Sequence, residues 1–330
     1  MTGILMKRLV CQSFDRNGSS VAVCTAPDPL PGPGEVLIRM TASNVAFVDR
    51  LIVRGEYQVR PPLPFTPGVV GAGEVIAASP EITHLAPGTR VAVLKSDYGT
   101  WATQIVAPVW AVVPIPPNIS EHIAAAAIEA YGTASYALEE RGGLRAGERV
   151  LILGASGAVG AAAVEIAVHL DAEVIALTSD PTMWDDKPVK PHIILDRRQV
   201  DLRAAMKEYF PGGVDVVLDP VGGDLAAPAL RSLQPYGRYL VVGFASGRIP
   251  DLPANQILLR NRTVIGVEWA TWITANHRFL ARTLDVVLNR LARGVFHPPA
   301  PHLVPLDRLP AELAGPLPAA GLIRTVVVPS

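Results

Sequence analysis

The fold is predicted mainly from the stretch Arg149–Leu177, which reads RVLILGASGAVGAAAVEIAVHLDAEVIAL. It opens with a short apolar strand, Arg149–Leu153, and passes through a glycine-rich turn, Gly154–Gly160. A helix of small residues, Ala161–Leu170, and a second apolar strand, Glu173–Leu177, follow. Apolar strands that alternate with helices are typical of a parallel sheet covered on both faces.

The turn matches the G-x-G-x-x-G fingerprint of dinucleotide binding, except that alanine takes the place of the first glycine. Gly157 would let the backbone approach a pyrophosphate, and Gly160 would let the helix pack closely on the strand. The free amides and positive dipole end of the helix would face the phosphates. The alternative is a tight strand–helix turn in another kind of α/β protein. The candidate coenzyme-binding residues here are Ser156, Gly157, Ala158, Val159 and Gly160.

The strand–helix alternation continues to about residue 270, so we place an α/β nucleotide-binding domain at residues 123–270. The helix before the first strand is capped by Ser120. The further strands are predicted at His192–Leu195, Val214–Leu218, Arg238–Val242 and Thr263–Val267, and the further helices at Asp201–Tyr209 and Leu225–Leu233.

The positions of proline support this division. The chain has 330 residues and 31 prolines, and none of them lies between residues 118 and 180 or between 254 and 297. Since proline removes an amide donor and breaks helices and inner strands, these gaps predict regular, buried structure. Residues 1–122 alternate extended stretches with Pro/Gly turns, which indicates a mostly β domain. Residues 271–330 are predicted to add a helix, Asn276–Ala292, and a last strand, Arg324–Val328.

Composition excludes several classes of function. Basic and acidic residues nearly cancel, 29 against 30, and no basic run argues for nucleic-acid binding. The most apolar stretch, 150–178, is interrupted by Glu165, His169 and Asp171, so we expect no membrane span and no membrane partner. The amino terminus predicts no signal peptide. The two cysteines, Cys11 and Cys24, suggest a reduced, cytoplasmic protein.

The residues after the second strand bear on the choice between NADPH and NADH. With Thr178 at the strand tip, a 2′-phosphate has room and the Ser179 hydroxyl can donate to it. With Asp180 at the tip, the free 2′-hydroxyl of NADH is favoured instead. Arg197, after the third strand, either reaches the same pocket or lies in solvent. NADPH is the favoured coenzyme and NADH stays possible.

In this order, five segments of the chain resemble the zinc-independent quinone oxidoreductase branch (zeta-crystallin-like) of the medium-chain dehydrogenase/reductase family. The resemblance implies a Rossmann doubly wound parallel sheet inserted in a GroES-like, mostly β domain made of residues 1–122 and 271–330. It also implies a cleft between the domains and, usually, a homodimer. The segments are PGPGEVLIRMTASNVAFVD (31–49), LPFTPGVVGAGEVIA (63–77), GASGAVG (154–160), DPVGG (219–223) and GRYLVVGFASG (237–247).

The resemblance implies that no zinc is bound. Zinc-dependent relatives carry a cysteine in the first active-site loop, a Gly-His-Glu segment and a four-cysteine lobe. Here Gly68 is followed by Val69 and Val70, and both cysteines precede that loop. Without a metal, hydride transfer needs an acceptor that is already activated, such as a quinone or an α,β-unsaturated carbonyl.

Tyr57 matches a tyrosine that is assigned as proton donor in related enoyl-thioester reductases; the alternative is a tyrosine packed under a loop. Three positions depart from the branch: Ala46 replaces its usual asparagine, Leu51 a common aromatic residue, and Met183 a basic residue. Further coenzyme contacts implied by the resemblance, each of which could instead be ordinary structure, are Thr133, Gly243, Phe244, Ala245, Ser246 and Arg324.

Three functions remain open at this point. The first is an NADPH-dependent reductase of small-molecule quinones or enones. The second is an enoyl-thioester reductase that acts on a chain bound to coenzyme A or to a carrier. The third is a protein that holds the dinucleotide without reductase activity.

Overall fold

The structure is a computed structural model, and it describes residues 5–315 and 324–329. In chain order its strands are β1 (Leu5–Cys11), β2 (Val21–Pro27), β3 (Glu35–Val45), β4 (Val70–Ala78), β5 (Arg90–Leu94), β6 (Gln104–Pro108), β7 (Val112–Pro114), β8 (Arg149–Leu153), β9 (Glu173–Thr178), β10 (Ile193–Asp196), β11 (Val214–Asp219), β12 (Leu233–Val241), β13 (Thr263–Gly266), β14 (His302–Pro305) and β15 (Thr325–Val328). The helices are α1 (Phe47–Arg54), α2 (Glu121–Ser135), α3 (Ala158–His169), α4 (Leu202–Tyr209), α5 (Ala226–Ser232), α6 (Ala254–Leu258), α7 (Trp269–Ala275), α8 (His277–Ala292) and α9 (Leu309–Leu313).

Six strands form a parallel sheet in the order β10-β9-β8-β11-β12-β13, and every neighbouring pair in it is parallel. The predicted doubly wound sheet is therefore confirmed. The chain order reverses between β8 and β11, and in such sheets ligands bind beyond the carboxyl ends of the strands at this switch point. The glycine-rich turn follows β8 and lies at that point.

The other large sheet takes its strands from both ends of the chain. Its order is β14-β15-β3-β4-β5-β7, and β6 pairs with β3. The last strand, β15, runs antiparallel to β3, with Thr325 opposite Val45. The two ends of the chain therefore build one β structure, and the parallel sheet comes from the residues between them, although the domain limits at residues 122 and 270 stay predictions.

Helix α2 connects the two sheets. It begins at Ser120, whose hydroxyl accepts the amide of Ile123 at 3.3 Å, as its capping position predicts. Its alanine-rich surface packs on α3 and also on β3 and β4, so one continuous core serves both sheets. A buried hydrogen bond of 2.9 Å from the Tyr131 hydroxyl to Glu165 joins α2 to α3. This partner explains how a carboxylate is accommodated inside the apolar stretch.

Most elements lie within a residue or two of their predicted limits, but two of them begin three or more residues earlier than predicted. Helix α3 begins at Ala158, three residues before the prediction, because Gly157 takes the extended N-cap conformation and the glycine turn runs directly into the helix. Strand β12 begins at Leu233 rather than Arg238. Its first half carries a bulge, with Tyr236 at a left-handed φ of 65°.

Candidate functional site

The glycine-rich turn is closed tightly on itself. Gly154 has a left-handed φ of 60°, and a Cβ atom there would lie 2.6 Å from the Val221 side chain. A Cβ atom on Gly160 would lie 2.3 Å from the carbonyl oxygen of Gly154. Only glycine is accommodated at position 160 without movement of the backbone, which matches the role predicted for it.

The turn leaves backbone donors free at the start of α3. Gly157 caps the helix without a side-chain hydrogen bond. The amides of the first helical residues, Ala158, Val159 and Gly160, have no partner within the helix, because the residues four positions earlier lie outside it. Free amides and the positive end of the helix dipole form an anion site, so this end of α3 fits a pyrophosphate.

Donor side chains gather beside the turn at one corner of the sheet. The hydroxyls of Ser156 and Ser179 lie 3.5 Å apart. The backbone amide of Arg197 donates to the carbonyl of Thr178 at 2.9 Å, which brings Arg197 to the end of β9. Its side chain is exposed and forms no ion pair within residues 5–315 and 324–329. Two hydroxyls and an unpaired guanidinium are a suitable set of donors for a phosphate.

Thr178 and Asp180 bond mainly to each other. The Thr178 hydroxyl, which is fully buried, accepts from the amide of Asp180 at 3.0 Å and lies 3.1 Å from its carbonyl. The Asp180 carboxylate accepts from the Thr182 hydroxyl at 2.7 Å. Of the three residues predicted after the second strand, Ser179 is therefore the one whose side chain faces the glycine turn.

The loop Gly243–Ser246 lies against the loop after β11. The amides of Gly243, Ala245 and Ser246 donate to the carbonyls of Asp219, Pro220 and Val221 at 3.2, 3.1 and 2.9 Å. Because Val221 also contacts the glycine turn, the loops after β8, β11 and β12 meet at one edge of the sheet. The structure thus brings the predicted coenzyme residues of these loops together.

Two further predicted contacts lie on α2 and directly before β15. Arg324 is mostly buried and forms an ion pair of 3.0 Å with Glu129 of α2. Thr133 lies one turn further along α2, and its hydroxyl forms no side-chain hydrogen bond within the described ranges. Glu129 therefore holds Arg324 against α2, and the contact of Arg324 with a coenzyme phosphate stays a prediction.

Tyr57 follows the end of α1, which Gly55 terminates with a left-handed φ of 69°. The ring is half-buried, and its hydroxyl has no hydrogen-bond partner in the part of the chain that the structure describes. Burial, with the nearby charges of Glu268 and Glu129, raises the pKa of Tyr57. The phenol therefore stays protonated at neutral pH and is available as a donor.

Asp49 lies at the start of α1 and is only 2% exposed. One carboxylate oxygen accepts the amide of Ala46 at 2.9 Å, and the other, Oδ1, has no partner among the described residues. Burial raises the pKa of Asp49 to about 7, to which the charge of Glu129 contributes. Near neutral pH this buried carboxyl group is thus partly protonated.

The sequence reading missed Tyr98, which lies in the turn after β5. It has a left-handed φ of 68°, which is unusual for a bulky residue, and its ring lies 5.6 Å from that of Phe65. Burial, followed by the charges of Asp49 and Tyr57, raises the pKa of Tyr98. Tyr98 therefore belongs to the cluster of Asp49 and Tyr57, although no motif in the sequence indicated this.

Within the described residues, no group of three or more His, Cys, Asp or Glu side chains is arranged to hold a metal ion. His297 and His302 have four residues between them, a spacing that metal ligands use, but neither joins such a group. Cys11 is buried in β1 and Cys24 lies in β2, and both are free thiols. No helix in the described ranges is long and apolar enough to cross a bilayer.

Comparisons with known proteins agree with this architecture. Residues 32–117 match the model described as the alcohol dehydrogenase GroES-like domain, and residues 158–285 match the one described as zinc-binding dehydrogenase. Quinone oxidoreductase-like protein 2 of Mus musculus is 34% identical over 287 residues, which cover 86% of this chain and 81% of that protein. The human synaptic vesicle membrane protein VAT-1 homolog is 33% identical over 67% of this chain and 56% of its own length. A quinone oxidoreductase structure from Pseudomonas syringae superimposes with a TM-score of 0.87 at 25% identity, covering 98% of this chain and 100% of that one.

A Rossmann-type parallel sheet with a glycine-rich turn, together with a GroES-like β domain, defines a class of oxidoreductases. Within that class, the chain belongs to the medium-chain dehydrogenase/reductase family, among the quinone oxidoreductase-like proteins that it resembles in sequence. The predicted resemblance is thereby confirmed.

Proposed function

We propose that this protein is an NADPH-dependent reductase that transfers hydride to a quinone or an α,β-unsaturated carbonyl without zinc. The observation that carries the proposal is the cluster of Tyr57, Tyr98 and Asp49 in the cleft. Its two protonated phenols have raised pKa values, and its carboxyl group has a pKa of about 7. Such a cluster can supply hydrogen bonds and a proton to an acceptor without a metal.

The chain provides a complete set of candidate contacts for the coenzyme. The amides of the α3 amino terminus would hold the pyrophosphate, and Ser156, Ser179 and Arg197 would hold the 2′-phosphate. The loop Gly243–Ser246 and Thr133 would border the nicotinamide. When bound, the coenzyme supplies a hydride. NADPH is preferred to NADH in this proposal because an unpaired arginine and two hydroxyls suit a phosphate better than a ribose hydroxyl.

The cleft residues would act on the acceptor. A conjugated acceptor takes hydride at the carbon β to its carbonyl, and negative charge then develops on the carbonyl oxygen. The Tyr57 hydroxyl would donate a hydrogen bond to that oxygen, where a protonated donor in a desolvated site is most effective. A proton from the phenol or from water completes the reduction at the α-carbon. Zinc is unnecessary for this step, and the two cysteines lie in β1 and β2 rather than in the cleft loop.

The direct test is oxidation of NADPH and of NADH by the purified protein, followed by absorbance, with menadione, other quinones and simple enones as acceptors. We expect NADPH oxidation that depends on the acceptor and survives treatment with a zinc chelator. Oxidation of neither coenzyme with any acceptor would contradict the proposal. Tight NADPH binding in calorimetry without turnover would instead favour the dinucleotide-binding protein that has no reductase activity.

Gly160→Val is the matched negative control for coenzyme binding. Its side chain would collide with the carbonyl of Gly154, so we expect the turn to open and NADPH binding to be lost. Circular dichroism separates this loss from global unfolding, and a folded variant that still binds NADPH normally would contradict the assignment of the turn.

A further inference from the structure

An open cleft lies on the outer side of Tyr57, next to the end of α1. Its volume is about 530 Å³, which is within the range of sites for small ligands. Ligand sites are usually lined by apolar side chains, but this one is lined mainly by polar and charged groups. It is lined by Phe14, Arg16, Arg54, Gly55, Glu56, Tyr57, Gln58 and Arg60. Three arginines against one glutamate make it a positively charged cleft, which we call the arginine cleft.

One of the three arginines, Arg54, is buried, so its positive charge has a fixed position in the cleft. It is 8% exposed and forms no ion pair within the residues that the structure describes. One terminal nitrogen donates to the carbonyl of Gly315, while Nε has no hydrogen-bond partner in the same residues. The charge of Arg54 acts on the half-buried Asp15, but Asp15 forms no ion pair with it among the described residues and already accepts bonds from Asn17 and Ser19. A buried cation without a paired anion is costly, so an anionic ligand would compensate for it.

The two outer arginines are available to a ligand. Arg16 approaches Glu56 only at 3.9 Å and is largely exposed. Arg60 stands over the ring of Phe14 at 6.0 Å and forms no ion pair in the described ranges. Guanidinium groups bind phosphate with two parallel hydrogen bonds, which a solvated arginine can form with little rearrangement.

Tyr57 connects the arginine cleft to the catalytic cluster. It lines this cleft, and the charges of Glu268 and Glu129 also act on its phenol. A ligand that reaches Tyr57 with its reactive end would therefore leave its other end among the arginines. A neutral quinone has no anionic group that these arginines could bind.

We propose that the acceptor carries a phosphate-bearing tail, as a phosphopantetheine or coenzyme A thioester does, and that Arg16, Arg54 and Arg60 bind this phosphate while the enoyl end lies at Tyr57. This inference rests on the proposed reductase function and names its class of substrate. It selects the thioester alternative over a free quinone as the better acceptor.

The test compares three thioesters of the same acyl group at saturating NADPH. Crotonyl-CoA and crotonyl-phosphopantetheine carry phosphate, whereas crotonyl-N-acetylcysteamine does not. We expect the wild-type kcat/KM to be about ten-fold or more higher for the phosphate-bearing thioesters, mainly through KM. In the Arg16→Ala/Arg60→Ala double variant, this preference should fall by about the same factor. Arg203→Ala, an exposed arginine on α4, is the matched control and should retain the preference.

The two phosphate-bearing substrates separate the sources of the phosphate. A preference for both indicates the pantetheine phosphate, and a preference for crotonyl-CoA alone indicates the nucleotide phosphates. Equal kcat/KM for all three thioesters, or a preference that the double variant retains, would overturn the inference. Reduction of quinones without reduction of any thioester would overturn it too, while leaving the proposed function intact.

Binding provides a readout that does not depend on turnover. In calorimetry with coenzyme A, the Arg16→Ala/Arg60→Ala variant should bind about ten-fold more weakly than wild type, and added salt should weaken wild-type binding. No binding of coenzyme A by the wild-type protein, or equal binding by the variant, would count against the arginine cleft. If no acceptor is reduced but coenzyme A binds through these arginines, the reductase proposal fails and the cleft stands.

Discussion

At the scale of single residues, Asp49 and Tyr57 lie in and directly after α1, and the charges of both act on Tyr98 in the turn after β5. Each has a raised pKa whose first cause is burial, and the charge of Asp49 also acts on Tyr98. Perturbed titration in a cleft is a mark of functional sites. The left-handed backbone of Tyr98 adds to this, because such strain persists only where the surrounding structure imposes it.

Replacement of the two tyrosines should separate their roles. Tyr57→Phe removes the hydroxyl that we place on the acceptor carbonyl, so kcat should fall by about 100-fold with little change in the KM for NADPH. Tyr98→Phe should lower kcat by about ten-fold, because it removes a neighbouring donor. Steady-state kinetics with a quinone and an enoyl thioester measure both effects.

Tyr209→Phe, an exposed tyrosine on α4, is the control and should behave as wild type. A larger loss in Tyr98→Phe than in Tyr57→Phe would reverse the two roles. Wild-type kcat in both variants would remove the phenols from the mechanism.

Asp49→Asn should make stability less dependent on pH. The native pKa of about 7 lies above the ordinary value of 3.8, so the folded protein holds a proton that the unfolded chain releases. Stability is therefore lost as pH rises from about 4 to about 7, and the loss is complete above that range. Asparagine can still accept the Ala46 amide and carries no charge. The variant should be more stable than wild type by about 2–4 kcal/mol at pH 8, and much closer to it at pH 5.

Urea unfolding at the two pH values measures this difference. Asp251→Asn, at an exposed aspartate, should show no such dependence. A gain for Asp49→Asn that is equal at both pH values would show that the carboxyl group does not titrate near neutrality.

At the scale of elements, the coenzyme residues depend on where strands end rather than on any one motif. Strand β9 ends beside the glycine turn, and β10 ends one residue before Arg197. Because parallel strands direct their carboxyl ends to the same edge, these residues meet although they are separated in sequence. The proposed 2′-phosphate site is therefore built from three strand ends.

Arg197→Ala should reduce the preference for NADPH. We expect its kcat/KM for NADPH to fall by about 10- to 100-fold, while the value for NADH changes little, because only NADPH carries the 2′-phosphate. Arg198→Ala is the adjacent control, since the Arg198 side chain is paired with Asp196 at 3.0 Å. A wild-type preference for NADH, unaffected by Arg197→Ala, would assign this corner to a free ribose hydroxyl.

At the scale of the whole molecule, α2 and α8 hold the two sheets together. Trp110 and His277 stack at 3.6 Å between the β structure and the start of α8. The pair of Arg324 and Glu129 joins β15 to α2.

A second feature at this scale is the edge of the parallel sheet at β13. Among the described residues its edge strand β13 pairs with β12 alone, and Leu258 and Leu259 nearby are 76% and 72% exposed.

These features support the expected homodimer, formed through the β13 edge. Light scattering after gel filtration should give about twice the mass of one chain. The double variant Leu258→Glu/Leu259→Glu should shift the protein toward monomer without loss of secondary structure, because it places charge in the apolar patch. Leu30→Glu, at a position that is 87% exposed on the other sheet's side of the molecule, should remain dimeric. A monomeric wild-type protein would contradict the prediction.

The sequence determined the features that depend on short-range order. The run from Arg149 to Leu177 specified a strand, a turn and a helix through periodicity and glycine placement, and their positions are confirmed to within a few residues. Ser120 was identified as a helix cap for the same reason, since a cap bonds to its own helix. The prolines marked where regular buried structure lies, because each removes a backbone donor.

Only the tertiary structure decided which distant side chains share an environment. Tyr98 lies 41 residues after Tyr57 in a turn without any motif, and its role appears only where β5 and α1 meet. The arginine cleft likewise needs Arg16 beside the end of α1, and the partner of Arg324 is a glutamate 195 positions away. Burial, pKa and charge pairing depend on neighbours in space, whereas propensity and capping depend on neighbours in the chain. This is why the fold and the position of the glycine-rich turn could be predicted from the residues, while the proximity of Asp49, Tyr57 and Tyr98 could not.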